Sequence, residues 1–337
     1  MVTLKDLAQR VNRSVTTVSR ALAGYSDVSP KTRELVTKAA ADMGYIPNTM
    51  AQRLQKSSTD TLGIILPGYG EGFSEPFFTE FLAGIGKMSS KYGYDLLVTY
   101  VHTRDELATY KKMIVSRRVD GFIIVRTLCV DERVKYLCET GFPFAAFGRV
   151  DHDNCFPLVD EDGEYAMGLI ADHLVERNHK RIGVICPPQF IKSAKVRLTG
   201  LKKGLLKYGI TLDPDLVQIG SFDQKGGYEH AKLLLGLPNP PTAIVGFNDM
   251  VAMGAIHAAH DMGLHVGKEL AITGFDDIPM AEFCRPPLTT IRQPINQIGG
   301  MVTELLIQRI KTAGDTDFEV QQTILKPELI VRESSGG

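Results

Sequence analysis

From Leu62 onward the chain alternates short apolar runs with amphipathic stretches, and this alternation limits the fold more than any other feature. The strand-like runs span residues 62–66, 96–100, 122–125, 144–147, 182–186, 243–247 and 271–275. The helix-like stretches between them include residues 77–92, 104–118, 163–178, 194–208, 249–262 and 295–312. Such alternation predicts parallel sheets with helices on both faces. The pattern forms two series that break near residues 160–163, which predicts two similar α/β subdomains with a cleft between them.

The 337-residue chain distributes its charge unevenly. Residues 1–60 hold nine Lys and Arg against five Asp and Glu, a net charge of +4, whereas the remainder has a net charge of −5. This asymmetry indicates that only the N-terminal segment meets phosphate. No stretch approaches the roughly 20 continuous apolar residues of a membrane span, and no signal-peptide pattern begins the chain. We therefore expect a soluble cytoplasmic protein without membrane contact.

The first 45 residues predict three short helices with a tight turn between the first two. Thr3 and an aspartate three residues later resemble a capping box and begin the first helix. Ser14 is a suitable cap for a second helix over 15–23, and Ser29, followed by proline, begins a third that ends near Gly44. We expect a small core that draws on Leu4, Leu7, Ala8, Val11, Val18, Ala21, Leu22, Leu35, Val36, Ala39 and Met43.

The second helix has an outer face of short polar side chains and one arginine. These residues are Thr16, Thr17, Ser19 and Arg20. A helix that enters the major groove of DNA needs small side chains for close approach and a guanidinium for contact with guanine. The alternative is an ordinary solvated helix face.

Four motifs resemble the lactose/galactose repressor (LacI/GalR) family: TLKDLA at 3–8, SVTTVSRAL at 14–22, VSPKTR at 28–33 and GYIPN at 44–48. In that family, positions matching Val15, Thr16 and Arg20 read bases. Val15 could instead pack in the core, because it shares the spacing of Val18. The resemblance implies a DNA-binding headpiece over 1–48, with candidate DNA contacts at Thr3, Ser14, Val15, Thr16, Thr17, Ser19, Arg20, Asn48, Ala51, Arg53 and Leu54.

Residues 49–60 follow the headpiece and match the family's hinge helix and linker. In the family this helix folds on operator DNA, and the leucine that matches Leu54 wedges into the minor groove. One exposed apolar side chain beside Arg53 suits such a wedge. A short isolated helix of this kind is unstable without a partner. The alternative is a plain linker.

The resemblance extends through the body, residues 61–333, to the two-lobed fold of periplasmic sugar-binding proteins. It implies three crossovers between the lobes. One lobe would contain about residues 61–162 and 291–322, and the other would contain about residues 163–290 and 323–333. The expected fold class is therefore α/β, with a three-helix helix-turn-helix headpiece and a two-lobed core of parallel sheets.

Candidate ligand contacts follow the predicted strands, because open α/β sheets bind ligands at the carboxyl ends of their strands. A guanidinium, an amide and a carboxylate beside aromatic faces suit a polyhydroxylated ligand. In the family, positions matching Arg197, Asn248, Asp276 and Phe222 touch the effector, and first-loop residues matching Phe77 and Phe78 do so in some members. Arg149 and Gln293 are further cleft candidates. Asp249 and Asp277 are expected to be helix N-caps.

No enzyme signature accompanies this body, since GxGxxG after a strand, GxxxxGK[ST], GxSxG and HExxH are all absent. The five cysteines are scattered without CxxC spacing, which indicates reduced thiols. His257 and His260 lie three apart, but a metal site would need a third ligand. We therefore expect no enzyme activity, cofactor or metal.

These features predict a sequence-specific transcription regulator, most simply a repressor, that binds near-palindromic double-stranded DNA. A small-molecule effector in the cleft, with a carbohydrate preferred, would control operator affinity. The resemblance places the terminal strands within residues 323–333, and the chain stops about ten residues after the last of them. It lacks the heptad tail of tetrameric relatives, so a homodimer is expected. The alternatives are a purine or nucleoside effector, or a solute-binding module without DNA function.

Overall fold

The structure is a computed structural model that describes residues 2–45, 58–67, 76–102, 105–152, 155–220, 222–314 and 319–336. The chain forms two compact units, Met1–Thr59 and Asp60–Gly337. We call the first unit the headpiece and the second unit the body. No helix within the described ranges is both long and apolar enough to cross a membrane.

The headpiece contains three helices, α1 (Leu4–Arg10), α2 (Val15–Leu22) and α3 (Pro30–Met43). The capping box of α1 is formed: the Asp6 amide donates to the Thr3 hydroxyl at 3.3 Å, and the Thr3 amide donates to the Asp6 carboxylate at 2.8 Å. The hydroxyls of Ser14 and Ser29 cap α2 and α3 by accepting from amides three residues later, at 3.0 and 3.3 Å. Gly44 ends α3 in the left-handed region, with φ of 63°.

Each headpiece helix contributes one fully buried residue to the core, namely Leu7, Val18 and Val36. The expectation that Leu35 lies in this core is wrong, because Leu35 is 46% exposed. Ala40 is buried instead. It lies four positions after Val36 and therefore on the same face of α3.

Lobe one of the body is a parallel sheet of six strands with helices on both faces. Its strands, in spatial order, are β11 (Gln322–Leu325), β5 (Leu158–Glu161), β4 (Phe144–Phe147), β3 (Gly121–Ile124), β1 (Thr61–Pro67) and β2 (Asp95–Val101). Its helices are α4 (Pro76–Tyr92), α5 (Glu106–Val115), α6 (Glu132–Thr140) and α12 (Ile295–Lys311). Ile64 packs in the cluster with α4 and α12, and Ile65 packs in the cluster with α5 and α6. Successive strand residues thus face opposite layers.

Lobe two repeats this plan with four parallel strands. In spatial order they are β7 (Val217–Ile219), β6 (Ile182–Cys186), β8 (Ala243–Gly246) and β9 (Ala271–Thr273). Its helices are α7 (Gly163–Glu176), α8 (Lys192–Leu206), α9 (Gln224–Leu235), α10 (Asp249–Asp261) and the short α11 (Pro279–Phe283). Helices α7 and α8 cover one face of the sheet, and α9 and α10 cover the other.

The chain passes between the lobes three times, after β5, after β10 (Thr290–Arg292) and after β11. β10 pairs antiparallel with β12 (Glu328–Ile330). The structure differs from the expected lobe boundaries in two places. β11 pairs with β5 and so completes the sheet of lobe one, although residues from 323 onward were assigned to lobe two. Arg292 bridges to Asp276 and therefore lies beside lobe two. Backbone pairing, which an apolar pattern does not encode, decides both boundaries.

Candidate functional site

The outer face of α2 carries the residues expected to read DNA. Val15 is 40% exposed, whereas Val18 is fully buried, so the core alternative for Val15 is excluded. Thr16 and Arg20 are exposed, and Thr17 and Ser19 are half-buried. An apolar side chain, a hydroxyl and a guanidinium are therefore available together on one short helix.

Arg20 is held in a fixed direction by two neighbours. Its guanidinium lies 2.8 Å from the Asp27 carboxylate and 5.0 Å from the centre of the Tyr25 ring. The side chains of Arg20 and Asp27 stay 46% and 51% exposed. The guanidinium is thus oriented while remaining accessible to a groove.

A small surface pocket lies where the N-terminal ends of α2 and α3 meet. It is lined by Ser14, Thr16, Thr17, Arg20, Asp27, Val28, Ser29 and Thr32. Helix N-termini present unpaired amides and a partial positive charge, which suits a phosphate group. Thr3 is exposed, and its hydroxyl is bonded to Asp6 in the capping box. The remaining candidates, Asn48, Ala51, Arg53 and Leu54, lie outside the described residues.

The body has a cleft between its lobes that brings together six of the eight expected effector contacts. They are Phe77, Arg149, Arg197, Phe222, Asn248 and Asp276. Phe78 is buried behind this surface, edge-on to Phe77 at 5.5 Å between ring centres. Gln293 is also buried and contacts Asp276 from behind. The cleft residues come from loops and helix starts after strands of both lobes, as the strand-end rule predicts.

Arg197 of α8 is the most constrained side chain in the cleft. Its guanidinium donates to the Phe247 carbonyl at 2.7 Å and to the Glu161 carboxylate at 2.8 Å, and it stacks 3.4 Å from the centre of the Phe275 ring. Its Nε atom is buried and has no hydrogen-bond partner among the described residues. A buried donor without a partner costs free energy, so this side chain is held in place by its other contacts.

Asn248, rather than Asp249, caps α10. The Asn248 side-chain oxygen accepts from the Val251 amide at 2.7 Å, and its amide nitrogen donates to the Phe222 carbonyl at 2.8 Å. The expectation for Asp249 is wrong because this carboxyl turns inward. It is fully buried and accepts from the Ile278 amide and the Thr290 hydroxyl. Burial, together with the nearby Asp276, raises the pKa of Asp249.

Asp276 and Asp277 both have left-handed backbones, with φ of 118° and 54°, and point to different surroundings. Asp276 is buried, lines the cleft and accepts from Gln293 Nε2 at 2.6 Å. Asp277 is not a helix cap: it forms ion pairs with Arg292 at 2.6 Å and Arg332 at 2.8 Å. Those two arginines were not considered as partners in the sequence, because they lie 15 and 55 positions away.

Two acidic residues of the cleft, Asp160 and Glu161, were missed because β5 was not recognised as a strand. The Asp160 carboxylate accepts from Arg149 Nε at 2.6 Å, and Glu161 pairs with Arg197. Burial and the charge of Glu161 raise the pKa of Asp160 to about 7. Burial also opposes the charge of Glu161, but Arg197 outweighs it and lowers the pKa of Glu161. The two carboxyls therefore differ in protonation near neutral pH.

Arg126 was also missed, although it follows β3 by two residues and the strand-end rule applies to it. Its guanidinium lies 4.9 Å from the centre of the Phe78 ring and 4.8 Å from the centre of the Phe222 ring, one ring from each lobe. The Arg126 carbonyl accepts from buried Arg133 at 3.0 Å. Arg133 in turn pairs with Asp131 and Glu106, each at 2.6 Å. This buried network fixes the backbone that presents Arg126 to the cleft.

The edge of the cleft is joined by contacts between the lobes. The Asp151 carboxylate accepts from Lys192 and Lys195 of α8 at 2.6 and 2.7 Å, which lowers the pKa of Asp151 to about 2. Beside this ion pair, the Cys129 amide donates to the Phe190 carbonyl, and the Lys192 amide donates to the Thr127 carbonyl. These contacts therefore join the lobes along one edge of the cleft.

A helix-turn-helix headpiece with a two-lobed α/β body and a polar, aromatic cleft defines the class of DNA-binding transcription regulators that carry a ligand-binding domain. Residues 3–48 match the bacterial regulatory proteins of the lacI family, and residues 171–335 match the periplasmic binding protein-like domain. The chain belongs to the lacI family of bacterial regulatory proteins. It is 33% identical over 339 residues to the HTH-type transcriptional regulator AglR of Rhizobium meliloti (strain 1021), with 99% of this chain and 94% of AglR covered.

Solved structures that resemble the chain over nearly its full length include the following two. The complex of the transcriptional regulator CelR with cellobiose is 29% identical, has a TM-score of 0.75, and covers 99% of this chain and 100% of CelR. The Lac repressor dimer bound to operator and the anti-inducer ONPF is 27% identical, has a TM-score of 0.87, and covers 99% of both chains. These similarities identify the chain as a sequence-specific DNA-binding regulator.

Proposed function

We propose that the chain is a homodimeric repressor of a near-palindromic operator, whose DNA affinity is set by a carbohydrate bound in the interlobe cleft. The observation that carries the proposal is the environment of Arg197. Its buried Nε atom has no partner among the described residues, and the same cleft is lined by Asn248, Asp276 and Phe222. These groups suit a ligand rich in hydroxyls.

The polar and aromatic groups would contact different parts of a sugar. Directional bonds to hydroxyls come from the guanidiniums of Arg149 and Arg197 and from the carboxyl of Asp276. Phe77 offers a ring face; it lines the cleft and stacks on Phe81 and Phe147, each at 6.0 Å between ring centres. A rigid aromatic face packs well against the C–H surface of a sugar ring. The cellobiose complex of CelR, similar in fold and sequence, supports this choice.

Regulation follows from linkage between the two sites. An effector that binds one arrangement of the lobes more tightly changes operator affinity, and the operator changes effector affinity by the same factor. In the proposal, residues 49–60 transmit the change as a hinge helix, with Ala51, Arg53 and Leu54 in the minor groove beside Asn48. The cleft binds its ligand without turnover, and the protein acts in the cytoplasm. The Lac repressor, a dimer on its operator, supports the dimeric arrangement.

Fluorescence anisotropy of a labelled near-palindromic operator tests the proposal at two salt concentrations. We expect salt-sensitive binding that mono- or disaccharides reverse or strengthen, and the sugar should be recovered unchanged. A response to purines or nucleosides instead would replace the carbohydrate class but keep the regulator. Tight ligand binding without affinity for any genomic DNA fragment would contradict the DNA function.

A further inference from the structure

Two of the five cysteines lie side by side on lobe one, outside the cleft. Cys138 is in the last turn of α6, and Cys155 precedes β5. Their sulfur atoms are 3.9 Å apart, and both residues are exposed. They line a surface pocket with Leu137, Phe142, Phe144 and Arg309 that shares no residue with the effector cleft.

The other three cysteines are in different surroundings. Cys186 is buried in the sheet of lobe two, and Cys129 and Cys284 are half-buried. The Cys129 thiol donates to the Gln189 carbonyl, and the Cys284 thiol donates to the Ala281 and Pro286 carbonyls. In the described part of the chain, the hydrogen bonds of these three thiols are made with oxygen or nitrogen atoms rather than with another sulfur. Sulfur–sulfur proximity combined with solvent access therefore distinguishes the Cys138–Cys155 pair.

We propose that Cys138 and Cys155 form a redox-active dithiol that hydroperoxides oxidise to an intramolecular disulfide. The Cys155 thiolate attacks the terminal oxygen of the hydroperoxide. The O–O bond breaks and a sulfenic acid forms on Cys155. The departing alkoxide takes up the proton that the Cys155 thiol released and leaves as an alcohol. The Cys138 sulfur then attacks the Cys155 sulfur, the S–O bond breaks, and the proton of Cys138 leaves with the hydroxyl group as water. Two thiols and one hydroperoxide thus give one disulfide, one alcohol and one water, and two electrons pass from sulfur to oxygen.

The surroundings decide which cysteine reacts first. Although Cys138 is exposed as a residue, the partial burial of its sulfur, together with the neighbouring Cys155, raises its pKa to about 12, so Cys138 remains a thiol at neutral pH. A thiol that stays protonated is the poorer first nucleophile, so Cys138 takes the resolving step. The pair is close enough that only a small movement is needed for the second step, because the two sulfurs are already in van der Waals contact.

The disulfide would link β5 to α6 within lobe one. Cys155 lies five residues before Asp160 on β5, and Cys138 lies on the helix whose first turn contains Arg133. A covalent link would therefore tie the strand that carries two cleft carboxyls to the helix that fixes the Arg126 backbone. It would also close a loop between positions 17 residues apart and so restrict the unfolded chain.

Thiol mapping of the reduced full-length protein tests the proposal. After a brief treatment with hydrogen peroxide and alkylation with iodoacetamide, we expect two of the five cysteines to be protected and a peptide linked through Cys138 and Cys155. Dithiothreitol should restore both thiols. The C138S variant should instead accumulate a sulfenic acid on Cys155 that dimedone traps, while C129S and C284S should still form the link.

A thermal measurement provides an independent readout. The oxidised wild type should melt a few degrees above the reduced wild type, and peroxide-treated C138S should not. The proposal is overturned if Cys138 and Cys155 both remain alkylatable under conditions that oxidise glutathione in the same tube. It is equally overturned if the protected thiols belong to a disulfide between two chains, or if dimedone labels C138S at a different cysteine.

Discussion

The carboxylate of Asp151 in lobe one accepts a hydrogen bond from Lys192 Nζ of lobe two at 2.6 Å. Both side chains are partly shielded, with 27% and 20% of their surface exposed. This ion pair joins the lobes at the edge of the cleft that Lys192 itself lines. The free energy of cleft closure therefore contains an electrostatic contribution that does not require the ligand.

Replacing Asp151 with Asn should weaken effector binding about two- to fivefold, because partly exposed ion pairs contribute up to about 1 kcal/mol each. The salt dependence of effector affinity should also decrease. Isothermal titration at two ionic strengths measures both. Glu164→Gln is the matched control, since Glu164 pairs with Lys203 at 2.6 Å within lobe two and joins no lobes. Equal effects of the two substitutions would contradict a role for Asp151 in closure.

Asp160 should make effector affinity depend on pH. Its pKa, raised to about 7 by burial and Glu161, means that this carboxyl gains a proton as the pH falls through neutrality. A protonated Asp160 holds Arg149 less strongly and accepts fewer hydrogen bonds. We expect effector affinity to fall between pH 8 and pH 6, to about a tenth for each 1.4 kcal/mol lost. Asp160→Asn should flatten this profile; an unchanged slope in the variant would assign the pH dependence elsewhere.

His173 should destabilise the body in mild acid. Burial and the charge of Arg177 lower its pKa from 6.5 to about 4, and its ring is bonded to Ser335 at 2.7 Å. Between these two pH values the unfolded chain binds the proton more readily than the folded chain. The stability contributed by neutral His173 is thus present above pH 6.5 and is lost as the pH falls toward 4. Urea unfolding of His173→Gln should show a weaker pH dependence, and that of the exposed His260→Gln should match the wild type.

Arg20→Ala should lower specific operator affinity by about 10- to 100-fold, because a guanidinium that reads guanine contributes about 1–3 kcal/mol of discrimination. Nonspecific DNA binding should change much less. Competitive anisotropy with operator and scrambled duplexes separates the two effects. Lys38→Ala is the control, since Lys38 lies on α3 but does not line the headpiece pocket. Parallel losses on both duplexes would show that Arg20 contacts phosphate rather than a base.

Arg133→Met should reduce the free energy of unfolding by about 3–5 kcal/mol, because it leaves the buried Asp131 and Glu106 carboxyls without their cation. Urea titration followed by circular dichroism measures the loss. Lys135→Met, two residues along the same helix, removes an exposed charge that lies 4.0 Å from Glu132 and should be nearly neutral. A loss below 1 kcal/mol in Arg133→Met would mean that the network does not depend on this arginine.

The sequence alone was sufficient for the headpiece helices and for most of the buried strands of each lobe. The buried strand β5 was missed, because only its first two residues are apolar. Helix caps such as Ser14 are local signals, and a buried strand such as 182–186 is a continuous apolar run. Two edge strands, β7 and β11, were missed for a physical reason, whereas the edge strands β2 and β9 were predicted. β7 and β11 are short and half-exposed, so their sequences show neither a continuous apolar run nor a clear alternation. Their pairing is set by tertiary contacts.

The residues of the candidate site also fall into those that the sequence predicted and those that it missed. Arg197 and Asn248 follow recognisable strands and were found, whereas Asp160 lies on β5, which was not recognised as a strand. A single sequence does not show which distant residues form ion pairs. Asp277 has the sequence pattern of a helix cap, but in the structure it pairs with Arg332, which lies 55 positions away. Val15 was undecided because one helical spacing fits both a core and a groove-facing position, and only packing against the neighbouring helices separates them.

Asn248 both caps α10 and holds the Phe222 loop, while it lines the cleft. A mutation at this position would alter the helix and the loop together with any ligand contact. A substitution that changed ligand preference here would therefore also destabilise the fold. Ser193 and Val196 line the same cleft from α8 without capping a helix. Descendants of this chain that bind a different ligand are therefore expected to carry substitutions at Ser193 and Val196 first. Asn248 should stay unchanged in them.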